Sequence, residues 1–395
     1  MILQLYRAAY SGLPRSMWLL AVVMFVNRSG TMVIPFLGVY LTESLRFSID
    51  EAGIIMALFG VGSIGGTLIG GKLTDRIGAY DVMWISLLLG GLMFLLLGQL
   101  RGFWLLCLGT LTLGMVAEAF RPAVTAAVAM YSNDQNRTRS YSLNRLALNL
   151  GWSIGPAIGG WLAAKNYSFL FWADGITCLG ATLMLRFALP RQNVGTVSGI
   201  QKTKPSESAF RDRIFLVFMV FVTLYAIGFF QLFSTVPLFY KTVYHLRENQ
   251  IGNLMALNGL IIVAVEMILV HSIENRFKPL RLMAAGSLLV AIAYSLFNVA
   301  FGISWLIVSM VVATFSEMLA MPFMNTFAIG RSKAHNLGQY TSLYTAAWSI
   351  AQISAPLLGT QFITRFSFSA AWWLMASFAS VACLGFLSLE YKIKK

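Results

Sequence analysis

Six ionisable side chains fall inside long apolar runs, where each is costly. Arg28 follows Asn27 in the first run. Glu118 and Arg121 lie in the fourth, three residues apart, a spacing that puts both on one face of a helix. Glu317 lies at the matching depth of the second half; Glu266 and Asp174 sit in other runs. A charge at the centre of a membrane helix costs on the order of 2.5–3.5 kcal/mol, so such residues persist where they are paired or face water. The chemistry this set can do is proton exchange. A carboxylate is the suited carrier, because His245, His271 and His335 all fall in loops or at the ends of runs. Glu118 is expected to load and release the proton, with Arg121 and Arg28 driving release when they come close. Glu317 is expected to contact substrate or hold a second proton. A static Glu118–Arg121 pair that only fixes helix packing is the plain alternative. For Glu266 and Asp174 a polar helix contact is as good a reading.

The elements that hold these charges follow from composition. The 395-residue chain is 58% hydrophobic and only 11% charged. A soluble domain carries about 25% charged residues, so lipid must solvate most of this chain. Twelve apolar segments are long enough to span: 16–41, 50–72, 82–100, 103–130, 139–164, 168–189, 212–240, 249–273, 279–300, 303–330, 337–364 and 368–389. The first, after Arg7 and Arg15, is too long for a signal peptide and is read as a retained span. Residues 190–211 are polar, with Pro190, Pro205, Lys202 and Lys204, and are expected to form a cytoplasmic linker between bundles at 1–189 and 212–395. Net charge is +14, from 29 Lys plus Arg against 15 Asp plus Glu. The basic residues occupy short gaps between apolar runs, which speaks for topology signals and against nucleic acid. With the N-terminus cytoplasmic, 21 of them lie on the inner side and six on the outer, which supports both termini inside and an even span count. Cys107, Cys178 and Cys383 lie in apolar runs without paired spacing, so neither a disulfide frame nor a metal site is expected.

The two halves repeat. Gly53-Ile54-Ile55-Met56-Ala57-Leu58-Phe59-Gly60 recurs 199 residues later as Gly252-Asn253-Leu254-Met255-Ala256-Leu257-Asn258-Gly259. Internal repeats of this kind are common in secondary transporters. At the same shift Glu118 meets Glu317, but Ala320 stands where Arg121 would be. The scaffold is duplicated and the charge chemistry is not.

Two motifs are more specific. Gly70-Gly71-Lys72-Leu73-Thr74-Asp75-Arg76-Ile77-Gly78 lies between spans 2 and 3. It resembles the loop signature of the major facilitator superfamily, with Gly71, Leu73, Asp75, Arg76 and Gly78 matching. The two basic residues usual after the last glycine are Ala79 and Tyr80 here. A worn second copy, His271-Ser272-Ile273-Glu274-Asn275-Arg276, has lost its glycines. Span 5 carries Gly151-Trp152-Ser153-Ile154-Gly155-Pro156-Ala157-Ile158-Gly159-Gly160, which resembles an element of the drug:proton antiporter branch. Read without that resemblance, Gly151, Gly155, Pro156, Gly159 and Gly160 make a small-residue packing face.

The resemblance implies an all-α membrane protein with twelve transmembrane helices in two pseudo-symmetric six-helix bundles. It implies that spans 1, 4, 7 and 10 line a central cavity on which Arg28, Glu118, Arg121 and Glu317 converge, and that Gly71, Asp75, Arg76 and Gly78 gate it. Substrate contact is expected from Glu317, Asn27, Tyr225, Gln231, Asn325, Tyr344 and Trp348, since aromatic faces with polar edges hold cationic or amphipathic organic molecules. Such aromatic stripes are more commonly lipid-facing or packing surfaces. The implied function is proton-coupled export of small organic molecules by alternating access, by a monomer in a prokaryotic inner membrane. Proton-coupled import of a peptide, sugar or organic acid is the alternative. No Walker loop, H-E-x-x-H or paired Cys/His set is present, so neither an enzyme nor a cofactor is expected.

Overall fold

The computed structural model describes residues 12–133, 136–191, 208–273, 276–299, 302–332 and 336–394. Most of the expected linker, with Lys202 and Lys204, therefore lies outside the described residues, as do Glu274 and His335. Among the described residues no strand occurs. The helices are α1 (Arg15–Ser29), α2 (Val33–Val39), α3 (Ile49–Ile77), α4 (Ala79–Leu97), α5 (Phe103–Tyr131), α6 (Arg137–Ala163), α7 (Ser168–Ala188), α8 (Arg213–Gln231), α9 (Thr235–Thr242), α10 (Glu248–Ile273), α11 (Pro279–Val299), α12 (Ile303–Gly330), α13 (Leu337–Arg365) and α14 (Phe368–Lys394). Ten helical stretches are long and apolar enough to cross a bilayer; the stretches Arg15–Ser44 and Arg213–Thr242 each join two consecutive helices. α6 and α13 have the length, at 27 and 29 residues, but are more polar along their sides.

Both broken stretches restart on a proline. Pro35 is the third residue of α2 and Pro237 the third of α9, in a first turn where the missing N–H has no intrahelical partner to lose. Pro122, Pro156, Pro322 and Pro356 by contrast lie inside continuous helices. After the first break, the N–H groups of Met32 and Val33 donate to Asp174 on α7. After the second, tight turn bonds from Leu232, Phe233 and Ser234 to the carbonyls of Phe229, Phe230 and Gln231 satisfy the backbone locally.

The chain forms two compact units. One comprises Met1–Phe36, Leu58–Val197 and Glu248–Gly259; the other comprises Leu37–Ala57, Ser198–Arg247 and Leu260–Lys395. In the first, α1 packs on α6, and α4 on both α5 and α7. In the second, the same pairings recur as α8 on α13, and α11 on both α12 and α14. The core of the first unit is mainly aliphatic, built from Met17, Leu20, Met83, Leu87, Val124 and Leu185, with Tyr80, Phe120 and Tyr131 among them. That of the second is aromatic. Trp372 is fully buried, stacks on Tyr294 at 5.4 Å, and packs edge-on against Phe239 and at a steep angle against Phe297.

Close helix approach rests on glycine at defined places. Gly62, Gly66 and Gly70 repeat every four residues on α3, and a Cβ at any of them would come within 2.4 Å of a backbone oxygen of α5. Gly160 of α6 and Gly252 of α10 meet backbone to backbone inside the first unit, where a Cβ on either would lie 2.9 Å from the other's Cα. Tyr167 closes the same contact by donating to Glu248 at 2.6 Å. Gly53 belongs to the second unit and sits against Thr360 of α13. The two glycines that head the repeated segment therefore do the same job, each in the unit opposite to its half of the sequence.

The second unit is braced just ahead of α8. Asp212 caps that helix by accepting from the Phe215 N–H at 3.0 Å. Its carboxylate also receives both arms of Arg331, at 2.8 and 3.0 Å, and the Tyr340 hydroxyl at 3.0 Å. Beside it, Gln339 accepts from Ser208 and from the Ala209 N–H. Burial pushes the Asp212 carboxyl up, but these four donors outweigh it and hold the group below the usual carboxylate range. A depressed folded value contributes stability that is complete above the ordinary Asp value of about 3.9 and is lost as pH falls through the lower, folded one. Asp212→Asn is expected to lower stability by about 1–3 kcal/mol at neutral pH. In detergent melts the gap to the parent protein stays constant from roughly pH 5 to 8 and narrows below about pH 4; a gap that grows on acidification contradicts this account.

Candidate functional site

The charged cluster of the first unit is assembled by three helices. Arg28 stands one residue before the end of α1, Glu118 and Arg121 lie on one face of α5, and α6 packs against Arg28 at Gly151. Arg121 Nε lies 3.0 Å from Glu118 Oε2. The pair is lopsided: the Glu118 side chain is 10% exposed and that of Arg121 60%. An ion pair whose base is largely free to move can open, which a fully enclosed pair does only at a cost of several kcal/mol. Arg28 is half-buried, and its Nε is enclosed with no hydrogen-bond partner among the described residues. The cluster thus holds two bases and one acid. A cavity of about 60 Å³ runs beside it, lined by Asn27, Arg28, Thr31, Ser86, Glu118 and Cys178 among others. It is polar on one side and has room for water, whose share of liquid volume is about 30 Å³.

The span-5 motif gains a specific meaning here. A Cβ at Gly151 would come 2.6 Å from the Cβ of Arg28, and one at Gly155 about 3.1–3.2 Å from the carbonyls of Thr31 and Ser29. Gly159 faces Met32 in the same way. Three of the four glycines therefore seat α6 against the end of α1 and its break, and the fourth, Gly160, against α10. Pro156 lies inside α6 with its carbonyl toward Gly252.

Glu317 lies in the second unit. It is 8% exposed and within electrostatic reach of Tyr225 and Tyr294. Its neighbour Ser316 pairs with the Tyr225 hydroxyl at 3.1 Å. Tyr225 and Gln231 are fully buried. Gln231 donates to the Ala355 carbonyl at 2.9 Å and accepts from Thr235, so it ties the break between α8 and α9 to α13. In this structure the polar atoms of both, expected from sequence at the substrate site, are engaged inside the second unit. Their positions on a membrane helix are legible in the chain; the inward turn of their polar tips is not. Trp348 and Tyr344 are half-buried and form an aromatic group with Phe229 and Phe230 at ring separations of 5.7–6.3 Å. Asn27 donates to Cys178, and Asn325 is exposed. In the loop signature Gly78 has φ of +93°, a conformation other residues resist, and caps α4. Asp75 and Arg76 are exposed and form no ion pair among the described residues.

Asp174, for which a polar helix contact was one of the two readings from sequence, makes such a contact: it is 0% exposed, and both its oxygens serve the helix break. Pro35 alone could not have located that break, since Pro122, Pro156, Pro322 and Pro356 lie inside continuous helices.

A profile of the major facilitator superfamily matches residues 17–355. The chain belongs to that superfamily. It is an integral membrane transporter of small molecules, and not an enzyme. Among curated proteins it is 23% identical to the uncharacterised MFS-type transporter YqjV of Bacillus subtilis, with 97% of this chain and 95% of the relative covered. It is 25% identical to a Na(+), Li(+), K(+)/H(+) antiporter of Planococcus maritimus, with 92% of each covered. Similarity to the quinolone resistance protein NorA of Staphylococcus aureus reaches 28% over 44% of this chain and 45% of that one. Among solved structures, a POT family transporter in complex with 5-aminolevulinic acid superposes with a TM-score of 0.81 at 16% identity, covering 98% of both chains. The nucleoside transporter NupG superposes with 0.81 at 12% identity, covering 95% of this chain. At such identity these two share the fold and nothing finer.

The glycine seat under Arg28 yields a direct expectation. Gly151→Val forces a side chain into space that Arg28 and Ser29 fill, at a cost of about 1–3 kcal/mol. Melting should fall by several degrees while Gly71→Val, at a position with open space around it, leaves it within error. Equal losses in the two variants would remove the special role of the seat.

Proposed function

We propose that this transporter is a proton-coupled exporter of small amphipathic or cationic organic molecules, working by alternating access in the inner membrane of a prokaryote. The observation that carries the proposal is the Glu118–Arg121 pair, 3.0 Å apart, with one buried acid, one mobile base and the incompletely bonded Arg28 beside it. Protonation of Glu118 cancels its attraction for Arg121 and leaves two bases in mutual repulsion; deprotonation restores the pair. A cluster with two stable charge arrangements can bias a two-state protein toward one or the other. The bodies that would rock are built mainly from the bundles at 1–189 and 212–395, joined by a cytoplasmic linker, with both termini cytoplasmic and a single chain as the working form. Gly71, Asp75, Arg76 and Gly78 serve as the gate. Substrate contact falls to Glu317, Asn27, Asn325, Tyr344 and Trp348, with the aromatic group around Trp348 offering π faces to a cation.

The antiporter and drug-resistance names of two relatives support export in exchange for protons. The first of them also favours a second reading, in which a monovalent metal cation is the substrate. Proton-coupled import of a nutrient has less behind it. The N–H groups freed at the first helix break are taken by Asp174, so they are closed to a substrate carboxylate.

Proteoliposomes with an acid interior and a pH-sensitive dye test coupling. Added ethidium, norfloxacin, sodium or potassium should each be tried as the driver of proton release. Glu118→Gln is expected to cut proton movement at least tenfold while the protein melts within a few degrees of the parent. Proton movement unchanged in Glu118→Gln sinks the assignment of this residue. Trp348→Ala is expected to raise the half-saturating ethidium concentration roughly two- to thirtyfold, as loss of about 0.5–2 kcal/mol of cation–π attraction requires, and to leave sodium-driven exchange unaffected.

A further inference from the structure

Arg28 stands two residues before the gap that separates α1 from α2, so its placement depends on how that gap is held. Pro35 lies in the first turn after the gap, where a missing backbone donor is tolerated. The donors left over at Met32 and Val33 have no water to turn to, and each would cost several kcal/mol in a bilayer interior. Asp174 takes both: its two oxygens lie 3.0 and 3.1 Å from the Met32 nitrogen, and one lies 2.9 Å from that of Val33. The next turn of α7 continues the grip. Thr177 occupies the space where a Cβ on Gly30 would be, and Cys178 accepts from Asn27 Nδ2 at 3.4 Å. One face of α7 therefore holds the chain immediately before and immediately after Arg28.

The second half of the sequence breaks its corresponding helix at Leu232–Ser234 and needs no acid to do so, because three tight turn bonds suffice. The carboxylate is present in the half that carries the arginine. The charged groups in electrostatic reach of Arg28 are Glu118 and Arg121 from α5, with the Cys178 thiol from α7. Asp174 itself acts on Cys178 and bonds only to backbone among the described residues.

We propose that Asp174 is a positioning residue of the coupling site. It fixes the angle and register of the α1–α2 break and so sets where Arg28 stands relative to Glu118. Its geometric role is independent of the coupling mechanism proposed above; its effect on transport rests on that mechanism.

Two readouts test it on the full chain in proteoliposomes. Cys107→Ser and Cys383→Ser leave Cys178 as the one native thiol, and Asn27→Cys adds a partner beside it. Copper-phenanthroline oxidation should link the pair readily in this background. Asp174→Asn keeps one acceptor oxygen and is expected to slow linking about threefold to tenfold, and Asp174→Ala by more than tenfold, in line with the loss of one or two charge-assisted bonds partly offset by helix packing. In the native-cysteine protein, Asp174→Asn is expected to lower maximal proton-coupled exchange about tenfold, with the half-saturating concentration of ethidium or sodium within twofold of the parent. A link rate untouched by Asp174→Ala overturns the proposal, as does a slowed link with undiminished maximal exchange in Asp174→Asn. Should Asp174→Ala fail to insert, Asp174→Asn alone decides. Should none of the probes drive exchange, the link rate decides. If Glu118→Gln leaves exchange intact while the link still slows in Asp174→Asn, the coupling mechanism fails and the placement of Arg28 by Asp174 stands.

Discussion

Inside a bilayer a backbone N–H without an acceptor has no water to fall back on, and that constraint organises this transporter. Helix is the default answer, and fourteen helices among the described residues obey it. The informative places are the two where a helix stops and restarts on a proline. At Pro237 the chain tightens into a turn and repairs itself. At Pro35 it borrows a carboxylate from a helix 142 positions away in sequence. The borrowed acid then holds the base that the charged cluster needs. A requirement of the main chain and the chemistry of the side chains are thereby joined at one residue.

Much of the fold could be read from the sequence. Apolar run lengths gave the helices to within a few residues, and the 199-residue repeat anticipated that helix pairings would recur between halves, as they do. The span-5 glycines were visible as a small-residue face; the structure adds that they seat Arg28 and its flanks. The Glu118–Arg121 contact was legible because three residues on a helix is a fixed geometry. What was not legible depends on distant pairs. Asp174 looked like a spare polar group because its partners are backbone donors exposed only by a break elsewhere. Tyr225 and Gln231 carry side chains that suit a cavity wall, and no local rule says that Ser316 and Ala355 will claim their polar ends first.

The asymmetry of charge against symmetry of scaffold fits a division of labour. The first unit carries Arg28, Glu118 and Arg121 over a mainly aliphatic core. The second carries an aromatic core, the ring group around Trp348, and its ionic brace at Asp212–Arg331 away from mid-span.

The segments Leu37–Ala57 and Glu248–Gly259 each belong to the unit built mainly from the other half of the chain. This exchange bears on how the protein is made. At ribosomal speeds of about 5–20 residues per second, the first unit waits several seconds after its own half has emerged before its last segment arrives. During that interval Gly160 has no Gly252 to meet, and the small-residue face of α6 is open to lipid or to an insertase.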